Sequence, residues 1–356
     1  MLITGVEIQT NIIVNTKMGG LAVVILNYNG EHHLKKHLKR VVEYSSPHHV
    51  ILADNRSTDN SLAFAKSISG LQTISNHENT GFAGGYNDAL EKIKGHYDFY
   101  LLLNSDVEVS PDYIKPLIEA MNDEKIAGCQ PKVKSLINPS KFEHAGACGG
   151  FIDNNYFPFC RGRILDSTET DEGQYENELE VTWTSGAAML IRSELFHHVN
   201  GFDRDFFAHM EEIDLCIRLG HQGYKFKIIP RSEVFHLGGG TLPYQSAQKV
   251  YLNFRNNLFL IIKNHKGYLF PMLIKRMTLD GIAAYKFLLE GKPLFFWKVF
   301  LAHMALYRNF ISLYKKRQFL RTDKEKIVKY HGNILVGYFI EGRKIYSKIN
   351  KRQIKT

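Results

Sequence analysis

The stretch LLLNSDVEV, residues 101–109, joins an apolar run typical of a buried strand to an abrupt polar end at Asn104, Ser105 and Asp106. A carboxylate in a protein interior is costly unless it is paired, hydrogen-bonded or bound to a metal. The sequence therefore predicts that Asp106 lies at an exposed strand tip, where it either caps the backbone or belongs to a site. The neighbouring segments distinguish these two roles.

Short apolar strands alternate with helical patterns around this stretch. Strand-like runs occupy residues 21–28, 49–55, 72–76 and 97–106, and helical patterns separate them. This order indicates parallel strand pairing with both faces of the sheet covered. We predict an α/β fold with a doubly wound, mostly parallel, Rossmann-like sheet.

Several of these predicted strands end in polar residues. The first ends at 27–30 with Asn27 and Asn29, the second at Asp54, and the fourth at 104–106. Ligands of open α/β sheets bind beyond the carboxyl ends of the strands. We therefore expect the three polar ends to converge on one crevice.

A glycine-rich segment, GFAGGYN at residues 81–87, lies between the third and fourth strands. It lacks the G-x-G-x-x-G spacing of dinucleotide-binding loops, and the chain has no Walker lysine motif. Its glycines allow either the close approach of a ligand or a tight structural turn. In the first case, the amides that open the following helix would face a phosphate.

Seven segments in register carry a resemblance to a known family. They are VVILNYNG (23–30), ILADNRSTDNS (51–61), NTGFAGGYNDAL (79–90), LLLNSDVEV (101–109), WTSGAAMLIR (183–192), GFDRDFFAHMEEIDLCIRLGHQGYK (201–225) and VFHLGGGT (234–241). In this order they resemble the inverting family-two glycosyltransferases of the GT-A fold, particularly the bacterial rhamnosyltransferase-like members that build surface polysaccharides. The resemblance covers roughly residues 21–241.

The resemblance implies a nucleotide site. Its residues would be Asn27, Asn29, Asp54, Asn79, Gly81 and Phe82. Asn27 and Asn29 would border the nucleoside pocket, and the segment from Asn79 would close over the donor. Asp54 would accept the N–H of a uracil or thymine base, because an ionised carboxylate only accepts hydrogen bonds.

The resemblance also implies a metal site formed by Asp106 and His236. Carboxylate and other oxygen ligands suit Mg²⁺ or Mn²⁺, which need few protein carboxylates when diphosphate oxygens complete the shell. Three glycines, Gly238 to Gly240, follow soon after His236, and because they lack side chains they leave space around it. His33 and His37 have the i, i+4 spacing of a helical metal pair, but no acid or cysteine accompanies them, and we predict a solvated helix face.

The catalytic base is expected in MEEIDLCIR, residues 210–218. An inverting transfer needs one carboxylate to take the proton from the attacking hydroxyl. In the family this pair is commonly Glu followed by Asp, and the second acid is the base. Here the catalytic pair is Glu211 and Glu212, so the role passes to Glu212. Asp214 and Arg218 are spaced to form an ion pair on the helix surface.

Trp183 and Gly186 are the predicted sugar or acceptor contacts. A tryptophan face can stack on a sugar ring, and the small residues after it leave room for one; core packing is the other use of the same indole.

The basic residues are concentrated in the last part of the chain, although the formal charge of the 356 residues is only +9. From Lys263 onward there are 21 Lys and Arg against 5 Asp and Glu, a net of +16. By charge alone, anionic lipid, nucleic acid or phosphorylated substrates would suit this region. No segment reads as a clean membrane span, so its helices either lie on a membrane surface or pack on the front of the protein.

We predict three parts: a leader of doubtful structure (1–18), a GT-A domain (19–245) and a basic helical C-terminal region (246–356). The four cysteines form no C-x-x-C pair and no signal peptide opens the chain, which indicates a reducing, cytoplasmic setting.

The predicted function is metal-dependent, inverting transfer from a nucleoside-diphosphate sugar of the UDP or dTDP type to a lipid-linked or polysaccharide acceptor. The enzyme would lie at the inner face of the cell membrane, and no nucleic acid partner is expected. A sugar nucleotidyltransferase and a non-catalytic sugar-binding subunit are the alternatives.

Overall fold

The structure is a computed structural model that describes residues 19–143, 146–238, 246–319 and 327–355. The predicted leader at 1–18 lies outside the described residues, as do Gly239 and Gly240.

The described strands follow one another along the chain as β1 (Leu21–Asn27), β2 (His49–Asp54), β3 (Leu71–Ser75), β4 (Phe99–Asn104), β5 (Val107–Val109), β6 (Ile126–Ser135), β7 (Gly150–Ile152), β8 (Pro158–Cys160), β9 (Arg163–Ile164), β10 (Ser167–Thr168), β11 (Leu179–Val181), β12 (Ala188–Arg192), β13 (Lys225–His236), β14 (Lys329–Tyr330) and β15 (Ile354–Lys355). The described α-helices are α1 (Glu31–Tyr44), α2 (Ser61–Lys66), α3 (Gly81–Glu91), α4 (Lys115–Ala120), α5 (Ser193–His198), α6 (Glu211–His221), α7 (Ala247–Asn264), α8 (Leu269–Leu289), α9 (Pro293–Phe319) and α10 (Ile334–Phe339). Short 3-10 turns occur at Arg204–Phe206, Tyr346–Lys348 and Lys351–Gln353.

Within the described ranges, nine strands form the central sheet. Eight run in the order β11-β13-β6-β12-β4-β1-β2-β3, and β5 pairs with β13. The neighbours of β1 are parallel to it, and β12 lies antiparallel between β4 and β6. In the register, Asn27 lies beside Asp54, and Leu26 lies beside Asn104. The predicted mostly parallel sheet is confirmed, and the polar ends of three strands lie side by side.

The core occupies both faces of this sheet, because the central strands are apolar on both sides. Val23 and Ile25 pack with buried residues of α1, α2 and α4. Ala22 and Val24 face the opposite side, where residues of α3, α6 and α7 are buried. Helices cover both faces, and the strand ends stay open to a ligand.

The C-terminal residues, from α7 onward, pack against the part of the protein that precedes them in the chain. Helix α7 contacts α6, α8 and α9. Further along the chain, Tyr330 bridges to Asp153, and the amide of Ile334 donates to Asp153 Oδ2 at 3.0 Å. Of the helices that the structure describes, none combines the length and apolar character needed to cross a bilayer.

The prediction of a solvated face for His33 and His37 is wrong. Both imidazoles are buried, on the same side of α1 as Leu34 and Leu38. Burial lowers the pKa of each. The i, i+4 spacing places the histidines on the apolar stripe of the helix, and this outweighs their polarity.

The pairing of Asp214 with Arg218 is confirmed at 2.7 Å, but it lies in the interior and not on the helix surface. Arg218 also donates to the carbonyls of Val199 and Gly201, and Lys263 of α7 lies 2.8 Å from Asp214. Because a buried charge requires such partners, this cluster ties α6 to α7.

Candidate functional site

A cavity of about 680 Å³ opens beyond the carboxyl ends of the central strands. Nine of the predicted site residues line it: Asn79, Gly81, Phe82, Asp106, Trp183, Gly186, Glu211, Glu212 and His236. They come from five separate stretches of chain, so the sheet brings most of the predicted site together.

Two glutamates open helix α6 at one wall of the cavity. Glu211 is only 3% exposed. The Oε2 atoms of Glu211 and Glu212 have no hydrogen-bond partner among the described residues. Burial raises the pKa of Glu212 to about 7, and burial together with the neighbouring Glu212 raises the pKa of Glu211 well above its ordinary value. A carboxylate with a pKa near neutrality suits a general base.

The segment before these glutamates has an unusual backbone. Phe207, His209 and Met210 have φ values of 62°, 71° and 72°, a region that residues other than glycine rarely adopt. The two aromatic residues of this segment face different ways: Phe206 is fully buried in the core, while Phe207 lines the cavity.

The glycine-rich segment is bound to this backbone. The carbonyl of Phe207 accepts from the amides of Phe82, at 2.7 Å, and Ala83, at 3.1 Å. Gly81 has a φ of +74°, and a Cβ there would lie 2.5 Å from the same carbonyl. The expectation that these amides face a phosphate is therefore wrong, because a protein carbonyl occupies them. Gly81 allows the close approach of two chain segments.

Asp106 is buried, so the prediction of an exposed strand tip is wrong; its carboxylate pairs with His236 at the cavity edge. Asp106 Oδ1 lies 3.2 Å from His236 Nε2, and Glu143 Oε2 lies 3.2 Å from the opposite ring nitrogen, Nδ1. Burial lowers the pKa of His236, but the two carboxylates outweigh it and raise the pKa to about 10. His236 in turn lowers the pKa of Asp106 against the effect of burial.

Three predicted nucleotide residues lie beside the cavity and not on its wall. Asp54 Oδ1 accepts from Asn27 Nδ2 at 3.3 Å, and Asp54 Oδ2 accepts from the amide of Ser57 at 3.0 Å. Asn29 Oδ1 accepts from the amide of Thr58 at 2.7 Å. This cluster fixes the loops after β1 and β2, and the contact of Asp54 with a base stays a prediction.

Trp183 is mainly a core residue. It is 5% exposed, and its indole nitrogen donates to the carbonyl of Phe151 at 3.0 Å. Its ring lies on Gly150, where a Cβ would be 2.1 Å from the indole. A Cβ at Gly186 would lie 3.2 Å from Phe82 and 3.9 Å from the carboxyl carbon of Glu212, so Gly186 leaves space beside that acid. Stacking of Trp183 on a sugar stays a prediction.

The sequence model of Glycosyl transferase family 2 matches residues 22–196, which include β1, the glycine-rich segment, Asp106 and Trp183. The chain carries a domain of this family. Members of the family are inverting glycosyltransferases, so the predicted enzyme class is confirmed and the nucleotidyltransferase alternative is not supported.

Curated relatives of this glycosyltransferase include the N-acetylglucosaminyl-diphospho-decaprenol L-rhamnosyltransferase of Mycobacterium tuberculosis. It is 25% identical over 279 residues, which cover 74% of this chain and 90% of the relative. Rhamnosyltransferase WbbL of Escherichia coli K12 is 26% identical over 226 residues, covering 60% of this chain and 82% of that protein.

Solved structures support the GT-A fold of this glycosyltransferase. GalNAc-T7, solved with UDP, GalNAc and Mn²⁺, has a TM-score of 0.57 at 16% identity; the alignment covers 83% of this chain and 58% of that one. Residues 1–349 of S. aureus TarS give a TM-score of 0.50 at 12% identity, covering 86% and 93%. These likenesses concern the fold alone.

Sequence analysis missed several residues of the glycosyltransferase site. Asn55 lines the cavity and donates to Asn79 Oδ1 at 2.9 Å, which fixes the predicted donor segment. Glu143 lies in a part of the chain without a motif. Helices α7 and α8 contribute Lys249 and Arg276 to the cavity. Only Asn55 had a sequence signal, because it follows Asp54 at a strand end.

Proposed function

We propose that this glycosyltransferase moves a sugar from a nucleoside-diphosphate sugar, of the UDP or dTDP type, to a hydroxyl of a lipid-linked or polysaccharide acceptor during cell-surface glycan synthesis. The M. tuberculosis and E. coli relatives are both named as rhamnosyltransferases, and the M. tuberculosis enzyme is named for a decaprenol-diphosphate acceptor, which supports sugar transfer to a lipid-linked acceptor. The observation that carries the proposal is one cavity that holds both the Asp106–His236 pair and two glutamates whose Oε2 atoms have no hydrogen-bond partner among the described residues.

Glu212 acts as the general base. Its free Oε2 accepts the proton of the acceptor hydroxyl while that oxygen attacks the anomeric carbon from the side opposite the leaving diphosphate. Gly186 provides the space beside the carboxyl group in which the acceptor hydroxyl lies. Phe82 and Phe207 line the same cavity and limit the access of water, which would otherwise compete with the acceptor.

The residues present fit a divalent cation. Asp106 Oδ1 and His236 Nε2, which lie 3.2 Å apart, would hold the cation, and the cation would displace the proton of the His236 ring. Among the described residues no three His, Cys, Asp or Glu side chains are grouped to hold a metal alone, so donor diphosphate oxygens would complete the shell. Glu143 Oε2 lies 3.2 Å from His236 Nδ1, the position that carboxylates take behind metal-bound histidines. A bound Mg²⁺ or Mn²⁺ would neutralise the departing diphosphate.

The C-terminal helices α8 and α9 suit an anionic membrane surface. They expose large apolar residues along their length: Phe270, Ile274, Ile282, Tyr285, Leu289, Leu294, Trp297, Phe300, Tyr307 and Ile311. Lys275, Lys286 and Lys292 are exposed among them. Aromatic and apolar side chains with interspersed lysines are typical of helices that lie in the headgroup region. Such a surface would place the enzyme at the cytoplasmic face of the membrane, beside a lipid-linked acceptor.

Donor binding tests the cation site directly. Calorimetric titration with UDP-sugars and dTDP-sugars, in Mn²⁺ and again after chelation with EDTA, should give a binding heat only with the metal. Asp106→Asn should weaken the Mn²⁺-dependent binding at least about tenfold, because it removes the charged ligand. Glu211→Gln serves as the matched control, since that acid faces the same cavity from α6. Equal donor affinity with and without metal would refute the cation site.

A turnover assay separates the enzyme from the non-catalytic sugar-binding alternative. The purified full chain should release nucleoside diphosphate and transfer sugar to a lipid-linked acceptor. Donor binding without release or transfer, across the UDP and dTDP donors tested, would favour the sugar-binding role.

A further inference from the structure

The backbone that carries the two glutamates is held in place by groups outside the cavity. Residues 207–210 include three left-handed residues other than glycine, a conformation that persists only when surrounding contacts enforce it. The carbonyls of this segment point toward helix α7, beyond residues 22–196 that the family model matches. The contacts come from two adjacent residues of that helix.

Asn256 makes the central contact. Its side chain is fully buried, and Nδ2 lies 2.9, 2.8 and 2.7 Å from the carbonyl oxygens of Phe206, Ala208 and His209. A carboxamide has only two N–H groups, so three carbonyls share them. One side chain therefore fixes three of the four peptide carbonyls between 206 and 209.

Arg255 orients this carboxamide. Its Nε donates to Asn256 Oδ1 at 2.8 Å, which directs the NH₂ group of Asn256 toward the segment. Its Nη2 donates to the carbonyls of Asp205, at 2.9 Å, and Phe206, at 2.8 Å. The guanidinium group also lies over the ring of Phe259, 5.2 Å from its centroid, which limits its movement. The pair contacts four of the five consecutive carbonyls from Asp205 to His209, and α3 binds the fifth, that of Phe207, from the other side.

We propose that Asn256, oriented by Arg255, is a positioning residue that holds residues 206–210 in the conformation that aims the glutamate pair into the cavity. The inference rests on the proposed function, in which one of these glutamates is the base. Neither Asn256 nor Arg255 lines the cavity, so both act through the segment and not on the substrate. Helix α7 thereby contributes to the reaction by holding residues 206–210, which precede the two glutamates.

The test compares two buried asparagines of α7. Asn256→Ala removes the donors to the segment, and kcat should fall at least about tenfold, because small displacements of a catalytic group cost that much or more. The donor KM should stay within about twofold, since Asn256 holds the segment at the carbonyls of Phe206, Ala208 and His209 and not at the carbonyl of Phe207, which binds the glycine-rich segment. Asn264→Ala is the control: this side chain is also buried, but it donates to Asp214 Oδ1 at 2.8 Å and not to the segment. It should lower the melting temperature comparably while keeping kcat near that of the wild type.

A folded Asn256→Ala variant with wild-type kcat, or equal kcat losses in both asparagine variants, overturns the proposal. If Asn256→Ala does not fold, Arg255→Ala and Arg255→Lys replace it; kcat should fall in the first and partly recover in the second, and unchanged kcat in both overturns the proposal. Glu212→Gln is measured in parallel. Full activity of Glu212→Gln would refute the base assignment alone, because the positioning role predicts a kcat loss for Asn256→Ala whichever glutamate of the segment is the base.

Discussion

At the scale of single residues, the proposed chemistry depends on Glu212, whose Oε2 has no hydrogen-bond partner among the described residues. Glu212→Gln keeps the shape of the side chain but removes its ability to take a proton. We expect kcat to fall by about 10²-fold or more, in the range that general bases contribute, while the donor dissociation constant stays within about twofold. Single-turnover transfer assays and calorimetry measure the two quantities. If Glu211→Gln alone loses turnover, the base is the first glutamate and not the second.

The pH dependence of turnover follows from the same residue. Burial raises the pKa of Glu212 to about 7, and a base must be ionised to act. Turnover at saturating donor should therefore rise about tenfold per pH unit below 7 and reach a plateau above it. A rate profile from pH 5 to 9, with donor binding checked at each pH, measures this. If the turnover rate instead rises near pH 4.5, the acting carboxylate has an ordinary pKa.

At the scale of elements, the contact between α3 and the segment before α6 sets the shape of one cavity wall. Gly81→Ala would place a Cβ 2.5 Å from the carbonyl of Phe207, at a φ of +74°. We expect a loss of stability beyond the roughly 1–2 kcal/mol that a left-handed alanine costs, together with a lower kcat. Chemical denaturation and turnover measure these effects.

Gly95→Ala is the matched control for this change. Gly95 has a φ of +79°, and a Cβ there would meet nothing within 4 Å. It therefore isolates the conformational cost from the clash with Phe207. Equal losses of stability in the two variants, with kcat unchanged in both, would show that the close approach at Gly81 does not matter.

The first strands of the central sheet could be predicted from the sequence, because each is marked by a local pattern of residues. Apolar runs that end in polar residues located β1, β2 and β4 to within two residues. The start of α3 could not be predicted, because glycines usually break helices. In α3 they are required by packing: a Cβ at Gly84 would lie 2.4 Å from Thr80, and one at Gly85 would lie 2.8 Å from Asn55. Contacts of this kind depend on the tertiary fold and have no periodic signature.

The site was predictable where a residue type carries the chemistry and unpredictable where it only supports that chemistry. Asp106, Glu212 and His236 were identified through motifs, and the structure brings them to one cavity. Glu143 and Asn256 lie in stretches without any motif, and their partners are more than 40 residues away. Their contribution is visible only once the chain is folded.

At the scale of the whole molecule, the C-terminal helices join the catalytic side of the protein to an apolar outer surface. Lys263 of α7 lies 2.6 Å from Asp203 and 2.8 Å from Asp214, and Lys316 of α9 lies 2.6 Å from Asp203. The contacts of Lys263 are buried and therefore costly to break. Helix α9, which exposes Trp297, is therefore linked through Asp203 to the region that precedes the glutamates.

Membrane binding can be tested without disturbing these contacts. Ile282 and Trp297 are 63% and 52% exposed, and Ile137, far along the chain from α8 and α9, is 77% exposed. The double variant Ile282→Glu/Trp297→Glu should bind vesicles that contain phosphatidylglycerol at least about tenfold more weakly, because each buried apolar side chain contributes about 1.5–3 kcal/mol. Ile137→Glu should bind like the wild type. Vesicle co-sedimentation measures the partition coefficients.

Charge and apolar burial can be separated in the same assay. Binding of the wild type should be stronger to anionic than to neutral vesicles and should weaken as salt rises, because lysine attraction to headgroups is screened over about 8–10 Å at physiological ionic strength. The double variant should keep this salt dependence while losing affinity, and it should still transfer sugar to a water-soluble acceptor analogue, since neither position lines the cavity. Two results would exclude α8 and α9 as the membrane surface. One is an equal loss of vesicle binding in Ile137→Glu; the other is vesicle binding that changes neither with salt nor in the double variant.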